Sequence, residues 1–251
     1  MRKDLLALTP LYGSWIQTGS PAAAEILANA GFRWLAVDME HTETSLKEFT
    51  NIARSMEKYG VFPMVRASEN NTVEIRKYLD CGAKGIIVPM VNSAEEAKKA
   101  VAACKYPPEG VRGFAFVRAN DWGGSFDDYV KRANCKTVVI VMVETKAAVE
   151  NIDEILTVDG VDGVFIGPYD LSGSYGIPGQ TGHKTVKDAM QTVLAACKRH
   201  KKAAGQHIVT PTQENVSEAV SSGFTFLALG MDTVFVSEGA KSALNMAEQK
   251  Q

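Results

Sequence analysis

Short apolar runs alternate with longer segments whose apolar residues recur every three or four positions. The short runs have strand character, and the longer ones carry the period of amphipathic helices. This pattern predicts strands over 13–17, 34–38, 62–66, 85–88, 137–144, 163–166, 203–206 and 226–229. It predicts helices over 21–29, 47–58, 72–79, 93–104, 146–156, 184–200, 211–221 and 234–248. Local signals agree with it. Ser20 stands at an N-cap, Pro21 at the first helical position and Gly31 past the end. Ser93 caps a turn rich in Glu, with Lys98 and Lys99 behind it. Eight strand–helix alternations predict an α/β fold, a single (β/α)8 TIM barrel filling 1–251 as one domain. A doubly wound open sheet is the alternative, disfavoured because no nucleotide fingerprint accompanies the strands. Pro63 counts against the third strand, yet Phe62, Met64 and Arg66 alternate properly around it.

Composition narrows the class. The chain has 251 residues, 45% hydrophobic and 22% charged, which suits a globular protein and excludes disorder. Lys+Arg 27 against Asp+Glu 29 leaves a net charge of -2, so neither nucleic acid nor an anionic membrane is an expected partner. The longest apolar stretch, Val138 to Val143, is far short of the ~20 residues that span a bilayer. The first ten residues make a poor signal peptide. Cys81, Cys104, Cys135 and Cys197 form no C-x-x-C pair, so a reducing cytosol is the expected setting. One connection, 106–124, is too long to be a plain barrel loop. With Arg112, Arg118, Trp122 and four glycines it suits an anion-binding lid or a subunit contact.

In a barrel of this kind, chemistry gathers at the C-terminal strand ends. The second strand runs into Asp38, Glu40 and His41, the third ends in Arg66, the fifth in Glu144, and the sixth runs on to Asp170. Side-chain alternation puts Met142 on the same face as Glu144, one step below it. Carboxylates from adjacent strands, Glu144 and Asp170, can then converge. Hard oxygen ligands without a nearby cysteine suit Mg²⁺ or Mn²⁺, with water and substrate completing the shell. The competing reading is that both acids only cap helices, and His41 and Arg66 on the same rim weigh against it. His183, His200 and His207 are read as solvated or locally hydrogen-bonded. Phosphate-loop, dinucleotide and nucleophile-elbow motifs are absent from the sequence, and Lys146 is a weak Schiff-base candidate.

Several ordered motifs resemble the HpcH/HpaI family of metal-dependent pyruvate aldolases, within the phosphoenolpyruvate/pyruvate superfamily. They include Val37-Asp-Met-Glu-His41, Pro63-Met-Val-Arg66, Leu79-Asp-Cys-Gly-Ala83, Tyr106-Pro-Pro-Glu-Gly-Val-Arg-Gly113, Val143-Glu-Thr-Lys146 and Gly163-Val-Phe-Ile-Gly-Pro-Tyr-Asp-Leu-Ser172. The resemblance implies reversible cleavage of a 4-hydroxy-2-oxo acid to pyruvate and an aldehyde. It implies Glu144 and Asp170 as ligands of a divalent ion, Mg²⁺ or Mn²⁺ with Co²⁺ a third candidate. It implies His41 as the catalytic base or acid with Asp80 as its dyad partner, Arg66 on the keto oxygen, and Asp38 and Glu40 as partners of metal-bound water. Trp15, Met142 and the Gly167-Pro168-Tyr169-Asp170 turn would line the substrate site. A homohexamer with an exchanged terminal helix is implied as well. Two positions depart from the family pattern, Met142 in place of Gln and Tyr169 in place of Ala, which puts aldehyde specificity in question. A citryl- or malyl-CoA lyase-like enzyme, using Arg112 and Arg118 for CoA phosphates, is one alternative. An idle barrel serving as a binding scaffold is another.

Overall fold

A computed structural model describes residues 1–248. Eight strands close into a barrel, each parallel to the next. They are β1 (Leu11–Ile16), β2 (Trp34–Asp38), β3 (Phe62–Arg66), β4 (Gly85–Val88), β5 (Val138–Val143), β6 (Gly163–Ile166), β7 (Ala203–Ile208) and β8 (Phe226–Met231). The outer helices are α1 (Arg2–Leu6), α2 (Pro21–Asn29), α3 (Leu46–Met56), α4 (Thr72–Asp80), α5 (Ala94–Cys104) and α6 (Phe126–Lys136). After β5 come α7 (Lys146–Glu150), α8 (Ile152–Leu156), α9 (Pro168–Ser174), α10 (Lys184–His200), α11 (Gln213–Ser222) and α12 (Asp232–Glu248). Among the described residues no helix is long and apolar enough to cross a membrane.

Two apolar layers hold the fold. The outward faces of the strands pack on the helices, with Ile52, Val65, Ile86, Val141 and Val193 fully buried between them. The inward faces fill the barrel. Trp34 stacks on Phe226 with ring centres 4.1 Å apart, and Trp15 meets Phe165 edge-on at 5.4 Å. Gly13 makes room for that floor, since a Cβ there would lie 2.0 Å from the Trp34 indole. Pro63 is tolerated within β3, where its carbonyl accepts from the Lys84 N–H.

Four features differ from the pattern-based expectation. Residues 2–6 form a helix, too short to show a period, whose Leu5 enters the barrel interior. Residues 126–136 form a helix that buries only Ala133, so no apolar stripe marks it. The segment 146–156 breaks into two helices at Asn151. Residues 168–174 are helical, so Asp170 stands in the first turn of α9 rather than on a strand. In the long 106–124 connection both arginines find partners within the chain. Arg112 is buried, donates to the Asp80 carboxylate at 2.7 Å and lies between the Tyr106 and Tyr129 rings. Arg118 bonds the Cys81 carbonyl and Glu57.

Candidate active site

The mouth at the C-terminal strand ends holds a cavity of about 680 Å³ counting its open side. Trp15, Arg66, Met142, Glu144, Gly167, Pro168, Tyr169 and Asp170 line it, all expected from the sequence. Asp38, Glu40 and His41 stand beside it on the rim. Asp80 does not. It ends α4, so it sits at the N-terminal end of the barrel, opposite the rim, and within one chain it cannot meet His41.

Strand pairing builds the centre. Register sets Asp38 of β2 beside Arg66 of β3. The Arg66 guanidinium donates to both Asp38 oxygens, at 2.9 and 2.5 Å, and its carbon lies 5.1 Å over the Trp15 ring. Nη1 of Arg66 stands 3.3 Å from Glu40. Burial raises the Asp38 carboxyl, but the Arg66 bonds and charge, with the N–H groups of Glu40 and His41, outweigh it and hold Asp38 below the usual range. Asp38 therefore orients Arg66. Gln17, which the sequence reading passed over, donates to Asp38 and receives the Thr233 hydroxyl.

Glu144 follows β5 and turns inward above Met142. It is 4% exposed and accepts the Met90 N–H at 3.0 Å. Met90 holds a left-handed backbone, φ 54°, an uncommon state for a side chain with a Cβ and a frequent mark of functional sites. No sequence signal marked it. Gly167 allows the approach of the acid, because a Cβ there would lie 2.9 Å from the Glu144 carboxylate. Burial, then Glu40 and Asp170, push the Glu144 carboxyl up to about 7. Burial also raises Glu40, with Asp38 and Asp170 adding to it against Arg66 and His41. Oε2 of Glu40 is buried and accepts no hydrogen bond.

Three mutually repelling carboxylates thus share a small space with one cation, which Asp38 already engages. That donor set fits a divalent cation. Among the described residues no three His, Cys, Asp or Glu side chains form a complete metal cage, so such an ion would need oxygens from water or substrate. The N–H groups of Tyr169 and Asp170, two residues that line the cavity, open α9 without intrahelical acceptors. His207 also lines the cavity, edge-on to Trp15, although the sequence reading gave it no role. Its place on the inward face of β7 was legible from alternation once Ala203 and Gly205 were taken as interior positions. His183 caps α10 and His200 pairs with Asp153, both local roles as expected.

The sequence model of the HpcH/HpaI aldolase/citrate lyase family matches residues 11–238. The chain belongs to this family. It is 38% identical over 240 residues to the 4-hydroxy-2-oxo-heptane-1,7-dioate aldolase of Shigella sonnei, covering 95% of this chain and 90% of that protein. A solved HpcH/HpaI aldolase/citrate lyase family protein of Burkholderia cenocepacia superposes with a TM-score of 0.94 at 31% identity, covering 98% of both chains. The citrate synthase SbnG superposes at 0.88 with 28% identity, covering 100% of this chain and 98% of that one.

Proposed function

We propose that the protein is a class II pyruvate aldolase, a carbon–carbon lyase that reversibly cleaves a 4-hydroxy-2-oxo acid to pyruvate and an aldehyde. The observation that carries the reading is the meeting of Glu144, Asp170 and Arg66 in one cavity at the strand ends. The aldolase name of relatives that cover nearly all of the chain supports it.

Glu144 and Asp170 would hold a divalent ion, Mg²⁺, Mn²⁺ or Co²⁺. Such an ion, when bound, supplies Lewis-acid polarisation of the 2-oxo acid. The chain's own groups do the rest. The free N–H groups at Tyr169 and Asp170 receive the substrate carboxylate. Arg66, held rigid by Asp38, places a fixed donor where negative charge grows on the 2-oxo oxygen as C3–C4 breaks. His41, on the rim beside Glu40, takes the C4 hydroxyl proton as the aldehyde departs. The bonding pair passes to C3, and protonation there yields pyruvate.

The CoA-lyase reading loses the cations it needs, because Arg112 and Arg118 are committed inside the protein. The idle-scaffold reading leaves three destabilising carboxylates without a purpose. A homohexamer is the assembly we favour. Phe235, Val236, Leu244 and Met246 of α12, exposed in the single chain, support an oligomer. Four free cysteines agree with a reducing cytosol.

Pyruvate release from a panel of 4-hydroxy-2-oxo acids, coupled to lactate dehydrogenase, tests the proposal. Release is expected with Mg²⁺, Mn²⁺ or Co²⁺, and loss with chelator or in Glu144→Ala. Full activity of Glu144→Ala in chelator would remove the metal reading, and no release from any substrate would remove the aldolase reading.

A further inference from the structure

The cavity has two unlike walls. One holds Glu144, Asp170 and the start of α9, which the aldolase reading assigns to the 2-oxo acid half. Trp15, Gln17, His207, Val209 and Met231 form the other, left for the aldehyde half. Among the described residues no Lys or Arg stands on that wall. Arg66 is the only such cation among the described lining residues, and Asp38 and Glu40 engage it. A distal carboxylate on the aldehyde half would therefore enter without a counter-charge, which is costly in a partly dry site.

The second wall is not wholly apolar. Gln17 is spent on Asp38 and Thr233, leaving His207 as its free polar group. Nε2 of His207 lies 3.0 Å from the Gly230 carbonyl. A carbonyl only accepts, so Nε2 carries the proton of the neutral ring and Nδ1 is left as an acceptor. No described residue donates to it. Burial, with Arg66 nearby, pushes the imidazole down to about 4 against the pull of the Gly230 bond, so the ring stays neutral at ordinary pH. The edge-on Trp15 ring, 6.3 Å from the imidazole by centroids, keeps the ring in place.

We infer that His207 is a specificity-determining residue that accepts a hydrogen bond from a hydroxyl on the aldehyde half, so the enzyme selects an uncharged hydroxyaldehyde over an alkyl or carboxylate-bearing one. This rests on the aldolase reading and deepens it. A site built around an acceptor discriminates against an analogue lacking the donor, because the acceptor is then left buried and unpaired.

The test runs the condensation of pyruvate with three aldehydes: glycolaldehyde, the near-isosteric propionaldehyde, and succinic semialdehyde. Wild type, His207→Leu and His207→Gln are compared with Mg²⁺ or Mn²⁺ present. Deuterium exchange at C3 of pyruvate alone reads the oxo-acid half in each protein without any aldehyde. Wild type is expected to favour glycolaldehyde over propionaldehyde by about tenfold in kcat/KM, the scale of one hydrogen bond. Succinic semialdehyde should be the poorest of the three. In His207→Leu the ratio should fall to about one, while His207→Gln, which keeps an acceptor, should retain part of it. A wild-type ratio near one, a preference for succinic semialdehyde, or a His207→Leu loss equal for all aldehydes overturns the inference. Should His207→Leu fail to fold, the wild-type ranking and His207→Gln decide. Pyruvate exchange without hydroxyl preference sinks this inference alone. Absence of exchange with every metal sinks the aldolase reading, and this inference with it.

Discussion

At the residue scale, Glu144 links the site to stability. Its carboxyl titrates near 7 in the folded chain against an ordinary 4.5. The folded state therefore holds that proton more tightly than the unfolded state does. The contribution is complete below about 4.5 and is lost as pH rises through 7. The gap is worth about 3 kcal/mol, or roughly 5–10 °C in Tm for a chain of this size. In chelator, thermal unfolding at pH 8 should come earlier than at pH 5.5 by the share of that gap lying between them, about 2 kcal/mol or roughly 4–8 °C. Glu144→Gln should remove that part of the slope, and a divalent ion should restore wild type at pH 8 without helping the variant. An unchanged slope in Glu144→Gln would detach the effect from this acid. Arg66→Ala should lower kcat by roughly 10²-fold or more, since it deletes the one fixed donor at the growing charge. An unaltered kcat in folded protein would reduce Arg66 to a structural partner of Asp38. Position on a strand made both residues visible in the sequence. The Met90 N–H and the space at Gly167 were not visible, because backbone direction and the absence of a Cβ become informative only when two distant segments meet.

At the scale of elements, legibility followed burial. Strands buried on both faces show as apolar runs, so all eight were found, four with matching ends and four with ends within two residues. Helices α1 and α6 bury one residue each and left no stripe to read. Where Asp80 lies relative to the rim was hidden for a related reason. Its motif stood in order along the chain, but order does not tell which end of the barrel a residue occupies; the helix direction does. Its place explains Arg112, whose guanidinium bonds Asp80 and Tyr129 while Nε is buried without a partner. Arg112→Met should lower stability by about 3–5 kcal/mol, because it strands the Asp80 charge and opens the aromatic sandwich, and Tm should drop by roughly 10 °C. A Tm within about 2 °C of wild type would show that the pair contributes little to stability.

At the scale of the whole molecule, the sequence read as a closed barrel because eight strand–helix repeats ran in a row with no nucleotide fingerprint to favour the open doubly wound sheet. It could not show how the last helix leaves that barrel. Asp232, 3% exposed, accepts the N–H groups of Gln17, Thr18 and Thr233 and the Thr18 hydroxyl. One carboxylate thereby ties the start of α12 to the end of β1, across the seam where β8 closes on β1. Beyond it, residues 235–248 lie exposed. A helix of 17 residues is about 25 Å long. Mechanically it is a boom pinned at its root, where the Thr233 hydroxyl also reaches Gln17 and Phe235 packs against Phe32. A tilt of about 10° at the pin swings the far end by roughly 4 Å, close to the radius of a helix with its side chains. The aim of the whole arm is thus set at its root, chiefly by three hydrogen bonds from Gln17 and Thr18 to one acidic side chain.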